Sequence, residues 1–117
     1  MEPQATALGR LSESDALRVR PLLTRIRAAW NPRQIWLFGS RARGEARADS
    51  DWDVLVVVPD DLDEGAFDPV VGWRLQRDLP IRADVFPCRS TEFEEDRDTP
   101  NTLAYEAWHR GVLLDER

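Results

Sequence analysis

The chain has 117 residues, 42% of them hydrophobic, which is enough for one modest core and too little for a second domain that would grip a long polymer. Its formal net charge of −6 leaves no surplus of positive charge to neutralise phosphates along a nucleic acid, so a polynucleotide partner is not expected. There is no lysine, which excludes a lysine nucleophile and a P-loop lysine, and the single Cys88 can form neither an internal disulfide nor a zinc site by itself.

Met1–Arg10 reads as a flexible terminus ahead of one domain over residues 11–117. Met1 to Ser14 lacks the apolar core of a signal peptide and no run approaches a membrane span, so a cytoplasmic protein is expected. Ser12 or Ser14 can cap a first helix, Ser12 and Asp15 having capping-box spacing. Val19, Leu22, Leu23, Ile26 and Trp30 fall on one helical face. Pro21 predicts either a kink or the true start of that helix, and Asn31-Pro32 its end.

Gln34 to Phe38 reads as a buried strand, with a short helix starting at Ser40. Gly44 to Ser50 is a polar loop, and Val54 to Val58 a second buried strand with aspartates at its entry. Pro59 to Gly65 reads as an acidic, solvated turn. Asp68-Pro69 is a cap and first-turn proline opening a helix to about Leu79. Arg82 to Phe86 is a third strand closed by Pro87. Ser90 or Thr91 caps a short acidic helix, and Thr99 or Asn101 a second one that runs to Arg110 and stops at Gly111. Val112-Leu113-Leu114 then adds an edge strand. This alternation predicts an α/β (α+β) domain, a small mixed, twisted sheet flanked by helices.

The most telling run is Gly39-Ser40, ten residues, then Asp51-Trp52-Asp53. Alternation along a strand points Asp51 and Asp53 to one side, where two close carboxylates repel unless a cation lies between them. Oxygen-only donors suit a hard divalent ion, Mg²⁺ above all. Nucleotidyl transfer is an in-line displacement at phosphorus that two such ions, about 4 Å apart, can clamp if carboxylates hold them. Asp84, an aspartate in mid-strand, is the candidate third carboxylate. Gly39 lets a phosphate approach the backbone, and Ser40 offers a hydroxyl at a helix start. Arg41, Arg43 and Arg47 form a short basic strip. Of Arg41 and Arg43, one is expected on phosphate and one in a surface ion pair, and the sequence leaves open which. The duller alternatives are a strand-entry cap for Asp51 and an exposed strand position for Asp84. The lone His109, without a partner for a triad, reads as a structural or surface residue.

Gly39-Ser40-Arg41-Ala42-Arg43-Gly44 followed by Ser50-Asp51-Trp52-Asp53 and a hydrophobic strand resembles the minimal nucleotidyltransferases of the DNA polymerase β superfamily. The Asp84 strand and the closing stretch Ala107 to Leu114 extend the likeness over roughly Trp30 to Glu116. The resemblance implies that Asp51 and Asp53 ligate both metals, and that Asp84 ligates the catalytic one and helps activate the attacking hydroxyl. It implies that Ser40 and the Gly39 backbone hold the β- and γ-phosphates, with Arg41, Arg43 and Ser50 in the same nucleotide-binding set. Ala48 stands where such proteins usually carry proline. Many members are antitoxins encoded beside a HEPN-domain toxin, and some silence it by transferring AMP to a toxin tyrosine.

The expectation is therefore a nucleotidyltransferase with two Mg²⁺ ions and ATP, adenylylating a HEPN toxin with which it assembles. A binding module that neutralises its partner by docking alone is the rival. Transfer to a small molecule is a third possibility, normally served by an added helical domain. If Trp73 or Trp108 is exposed, it would anchor a protein interface better than a nucleotide base.

Overall fold

The computed structural model describes residues 11–47 and 50–117. The Met1–Arg10 terminus and Ala48 lie outside the described residues. Helix α1 (Glu13–Trp30) opens on Ser12, whose hydroxyl accepts from the Asp15 N–H at 3.1 Å, satisfying one otherwise orphaned donor. It runs unbroken through Pro21, which neither kinks it out of helix nor begins it. Pro21 faces solvent, as does Leu17 one turn earlier, so water can satisfy the carbonyl that the proline cannot serve. The apolar stripe Val19, Leu22, Leu23, Ile26 and Trp30 is buried and outweighs that loss. Truncating one such core residue to alanine costs on the order of 2–5 kcal/mol. Asn31, in the left-handed region at φ 47°, ends the helix.

Strands β1 (Gln34–Phe38) and β2 (Trp52–Val58) pair antiparallel. Helix α2 (Pro69–Gln76) follows a 3-10 turn at Glu64–Phe67, with the Asp68 carboxylate accepting from the Val70 N–H at 2.9 Å. Strand β3 (Ala83–Arg89) lies parallel to β2; helices α3 (Ser90–Asp96) and α4 (Leu103–Arg110) lead to β4 (Val112–Glu116), antiparallel to β1. The order β3-β2-β1-β4 makes a four-stranded mixed sheet. Alternate residues face two cores. Ile35, Leu37, Val54, Val56, Val58, Val112 and Leu114 pack with α1 and Leu75 of α2, while Trp36, Phe38, Leu55, Val57 and Leu113 pack with Phe93, Ala104 and Ala107. Both faces being covered, the inner strands read as unbroken hydrophobic runs.

Several boundaries differ from expectation. Strand β3 continues past Pro87 to Arg89, which is tolerated because β3 is an edge and a missing N–H there can face away from the ladder. Helix α2 stops at Gln76, where Arg77 turns extended and Asp78 takes φ 65°. Thr102 caps α4, accepting from the Tyr105 N–H at 3.0 Å, in place of Thr99 or Asn101. Helix α3 has no cap from its own flank; Asp60 serves it from a distance, accepting from the Thr91 N–H at 2.9 Å and from its hydroxyl. Those two bonds hold the Asp60 carboxyl below its usual range, so the acidic turn is partly a helix cap.

Candidate active site

The site grows from one row across the sheet. Phe38, the last residue of β1, pairs with Asp53, and Asp53 pairs with Asp84 on β3. By strand parity Asp53 and Asp84 share the face of Leu55, Phe86 and Cys88, at the end where the cover from α3 and α4 runs out. Asp53 is half-buried and Asp84 exposed. Gly39 follows Phe38 at φ 79°, and a Cβ there would overlap the Asp53 Oδ2. Both the left-handed turn and the close approach therefore demand glycine.

Burial is the first cause holding the Asp53 carboxyl above its usual range; the charges of Asp84 and Asp51 add to it, and the Arg43 guanidinium pulls the other way. Negative charge in the row is thus under-compensated.

Asp51 stands just outside β2, which begins at Trp52, and its Oδ1 lies 3.3 Å from Arg82 Nε in an exposed pair. Its charge reaches Asp53, and its carboxylate is already paired with Arg82. Among the described residues, no three His, Cys, Asp or Glu side chains are gathered closely enough to hold a metal ion. The structure brings together a carboxylate pair, with the third acid at its margin. An exposed pair such as Asp51–Arg82 contributes about 0–1 kcal/mol, a weak restraint on that third acid.

The two arginines of the loop part ways. Arg41 is 7% exposed at its side chain, with Nη1 3.7 Å from Asp15. Its Nε and Nη2 donate to the Ser50 carbonyl at 3.1 and 2.8 Å, and Nη2 also donates to the Arg47 carbonyl at 3.3 Å. The guanidinium lies 4.7 Å from the centre of the Trp52 ring. Arg41 therefore ties α1, the loop and the entry of β2 together. Arg43 is exposed, donates to Glu45 at 3.0 Å and is the arginine whose charge is felt at Asp53.

Ser50 closes the loop: its hydroxyl accepts from the Arg47 N–H at 2.9 Å, and its own N–H donates to the Arg47 carbonyl. The short helix expected from Ser40 does not form. The Ala42 and Arg43 N–H groups both donate to the Gly39 carbonyl, and Glu45 to that of Ser40, which makes a compact turn in place of a helix end.

His109 is paired with Asp98 at 3.0 Å and stacked on Tyr105, away from this row in sequence and partners. Arg82, the Asp51 partner, was not singled out from the sequence. Its alternation with Asp84 was visible, yet only the parallel register of β2 and β3 brings it to Asp51.

A carboxylate row at the mouth of a glycine turn, between antiparallel and parallel strands, is the arrangement expected of an enzyme that moves nucleotidyl groups. Residues 19–108 match the model of the nucleotidyltransferase domain, and the chain belongs to that family. Among solved structures, the fold is similar to a toxin–antitoxin with AMP-PNP, at 22% identity and a TM-score of 0.60 over 83% of this chain and 72% of that one. It is also similar to a mutant of the toxin–antitoxin MntA–HpeT, at 21% identity and a TM-score of 0.59 over 82% and 71%. A putative nucleotidyltransferase from Sulfolobus solfataricus shares 21% identity and a TM-score of 0.57 over 100% of this chain and 93% of that one. No protein of curated function matches the sequence.

Proposed function

We propose that the chain transfers AMP from ATP to a hydroxyl group of a partner toxin of the HEPN type, and thereby acts as an antitoxin. The observation that carries this reading is the Asp53–Asp84 pair beside Gly39, a negative row that a phosphate cannot approach without a counter-charge. Support also comes from two toxin–antitoxin neighbours, one crystallised with an ATP analogue and one in which two aspartates spaced by a single residue are replaced by glutamate.

The donor set is all carboxylate oxygen and its charge is under-compensated, which fits divalent Mg²⁺. Asp53 and Asp84 would hold the ion, or two of them, with Asp51 added once it leaves Arg82. Metal bound there supplies the positive charge that offsets charge developing on the phosphoryl oxygens.

The chain's own groups do the rest. Gly39 opens the backbone to the triphosphate, the Ser40 hydroxyl and the Arg43 guanidinium meet its oxygens, and Arg41 and Ser50 keep the loop in shape. Asp84, on the exposed edge, faces the approaching acceptor and takes the proton of its hydroxyl. The hydroxyl oxygen bonds to the α-phosphorus, the bond to the bridging oxygen breaks, and pyrophosphate leaves.

A second reading is favoured by the pairing of Asp51 with Arg82, which occupies the third acid: an antitoxin that neutralises by docking, without turnover. The test is to mix the chain with the protein encoded beside it, Mg²⁺ and ATP, and to weigh that protein intact. A gain of one or more AMP units, absent with Asp53→Asn, is expected. Neutralisation of the partner with no gain of mass would overturn the transfer reading in favour of docking.

A further inference from the structure

Strand β3 is the edge strand of the sheet, with α2 packed beside it at Gly72. Two adjoining cavities, of about 340 and 360 Å³, share Phe67, Phe86 and Pro87 as common lining. The first also takes in Trp73 and Asp84, and the second Glu92 and Asp96. Trp73 is 55% exposed, with Arg77 lying 5.4 Å from its ring centre. A large aromatic left in water beside an apolar furrow marks a surface that is covered in use.

Three features of the furrow state what covers it. Asp84 is both the register partner of Asp53 and part of the lining, so an occupant of the first cavity abuts the carboxylate row. That makes the occupant the acceptor. The lining is apolar in the middle and acidic to either side, at Asp84 and at Glu92 with Asp96, which repels nucleic acid and suits a segment with a hydrophobic and a basic side chain. Pro87 has no N–H to offer in mid-edge, so the occupant is held by its side chains and not as an added strand.

We infer that the furrow along β3 is a docking groove for a polypeptide segment of the acceptor protein. It seats an aromatic or aliphatic side chain against Trp73 and Phe67 and an arginine or lysine against Glu92 and Asp96, and so presents a nearby hydroxyl to Asp84. This rests on the proposal that the acceptor is a protein, but peptide capture is read without any transfer.

The experiment is to pan a phage-displayed library of random twelve-residue peptides on the full chain and to measure the captured peptides by fluorescence anisotropy. Enriched peptides should pair a large apolar residue with a basic one and lose at least tenfold in affinity on Trp73→Ala. A Glu92→Arg, Asp96→Arg variant, folded by circular dichroism, should shift enrichment from basic to acidic peptides. No enrichment, or binding indifferent to both variants, overturns the groove even where AMP transfer to a whole protein is intact. Capture that obeys both variants while no transfer occurs would leave the groove standing and overturn the transfer reading alone.

Discussion

Replacing Arg41 should damage the protein far more than replacing Arg43, although both belong to the same basic strip. Arg41→Ala strips the Ser50 and Arg47 carbonyls of a charged donor and removes a cation from the Trp52 ring. The Ser50 carbonyl, left without its donor in a partly buried setting, costs about 1–3 kcal/mol, and the ring contact adds about 0.5–1 kcal/mol, while the exposed Arg47 carbonyl keeps the Ser50 N–H as its donor. Water can reach part of this loop, so the lower end applies and the sum is about 1.5–2 kcal/mol. The Asp15 pair, at 3.7 Å and partly exposed, adds little. For a domain of this size that corresponds to a fall in Tm of roughly 5–10 °C.

Arg43 is exposed and pairs with an exposed Glu45, so Arg43→Ala should stay within about 0.5 kcal/mol of the wild type. Thermal unfolding by circular dichroism separates the two, and hydrogen exchange should place the Arg41→Ala loss at the Ser50–Trp52 segment. Arg41→Lys, which keeps charge but not the forked donor, should recover only part of it. Equal melting of Arg41→Ala and wild type, or an equal loss in Arg43→Ala, would refute the division of labour between them.

Asp53→Asn should raise the melting temperature of the metal-free protein at pH 7, because the ionised carboxylate is disfavoured by burial and by Asp84 and Asp51. A carboxyl raised in the fold weakens it when ionised and ceases to do so once protonated. The gain should therefore fade as pH falls through the folded value and vanish below the unfolded one, about 4. Gly39→Ala should cost about 1–2 kcal/mol from φ alone and push the Asp53 carboxylate aside, so that denaturant melts and nucleotide binding both weaken. Cys88, whose thiol is pushed up to about 12 chiefly by burial, should resist a thiol reagent at pH 8 in the folded chain and react on unfolding.

The elements that were legible from the sequence are those whose signals are local. Ser12, Asp68-Pro69 and Asn31 mark helix ends through their own side chains or backbone, and the hydrophobic runs of β1 and β2 need no partner to be read. The nucleotidyltransferase family was legible for the same reason, since the glycine turn and the aspartate pair lie in one short stretch. What was not legible depends on register. Asp51 seemed a strand residue by alternation, but β2 begins one residue later and Arg82 reaches it from just ahead of β3. The two arginines could not be told apart until Ser50 and Asp15 closed around Arg41. Pro87 ends a strand in the sequence and not in the sheet, because only the strand order reveals an edge.

The most direct test of the site is a set of melting curves of the full chain with ATP, with Mg²⁺, with both and with neither. If Asp53 and Asp84 form a metal-dependent nucleotide site, only the combination should stabilise, by about 2.7 kcal/mol at a hundred times the dissociation constant, and Asp53→Asn should abolish the shift. An equal shift with ATP in the presence of a chelator, or an undiminished one in Asp53→Asn, would contradict the account.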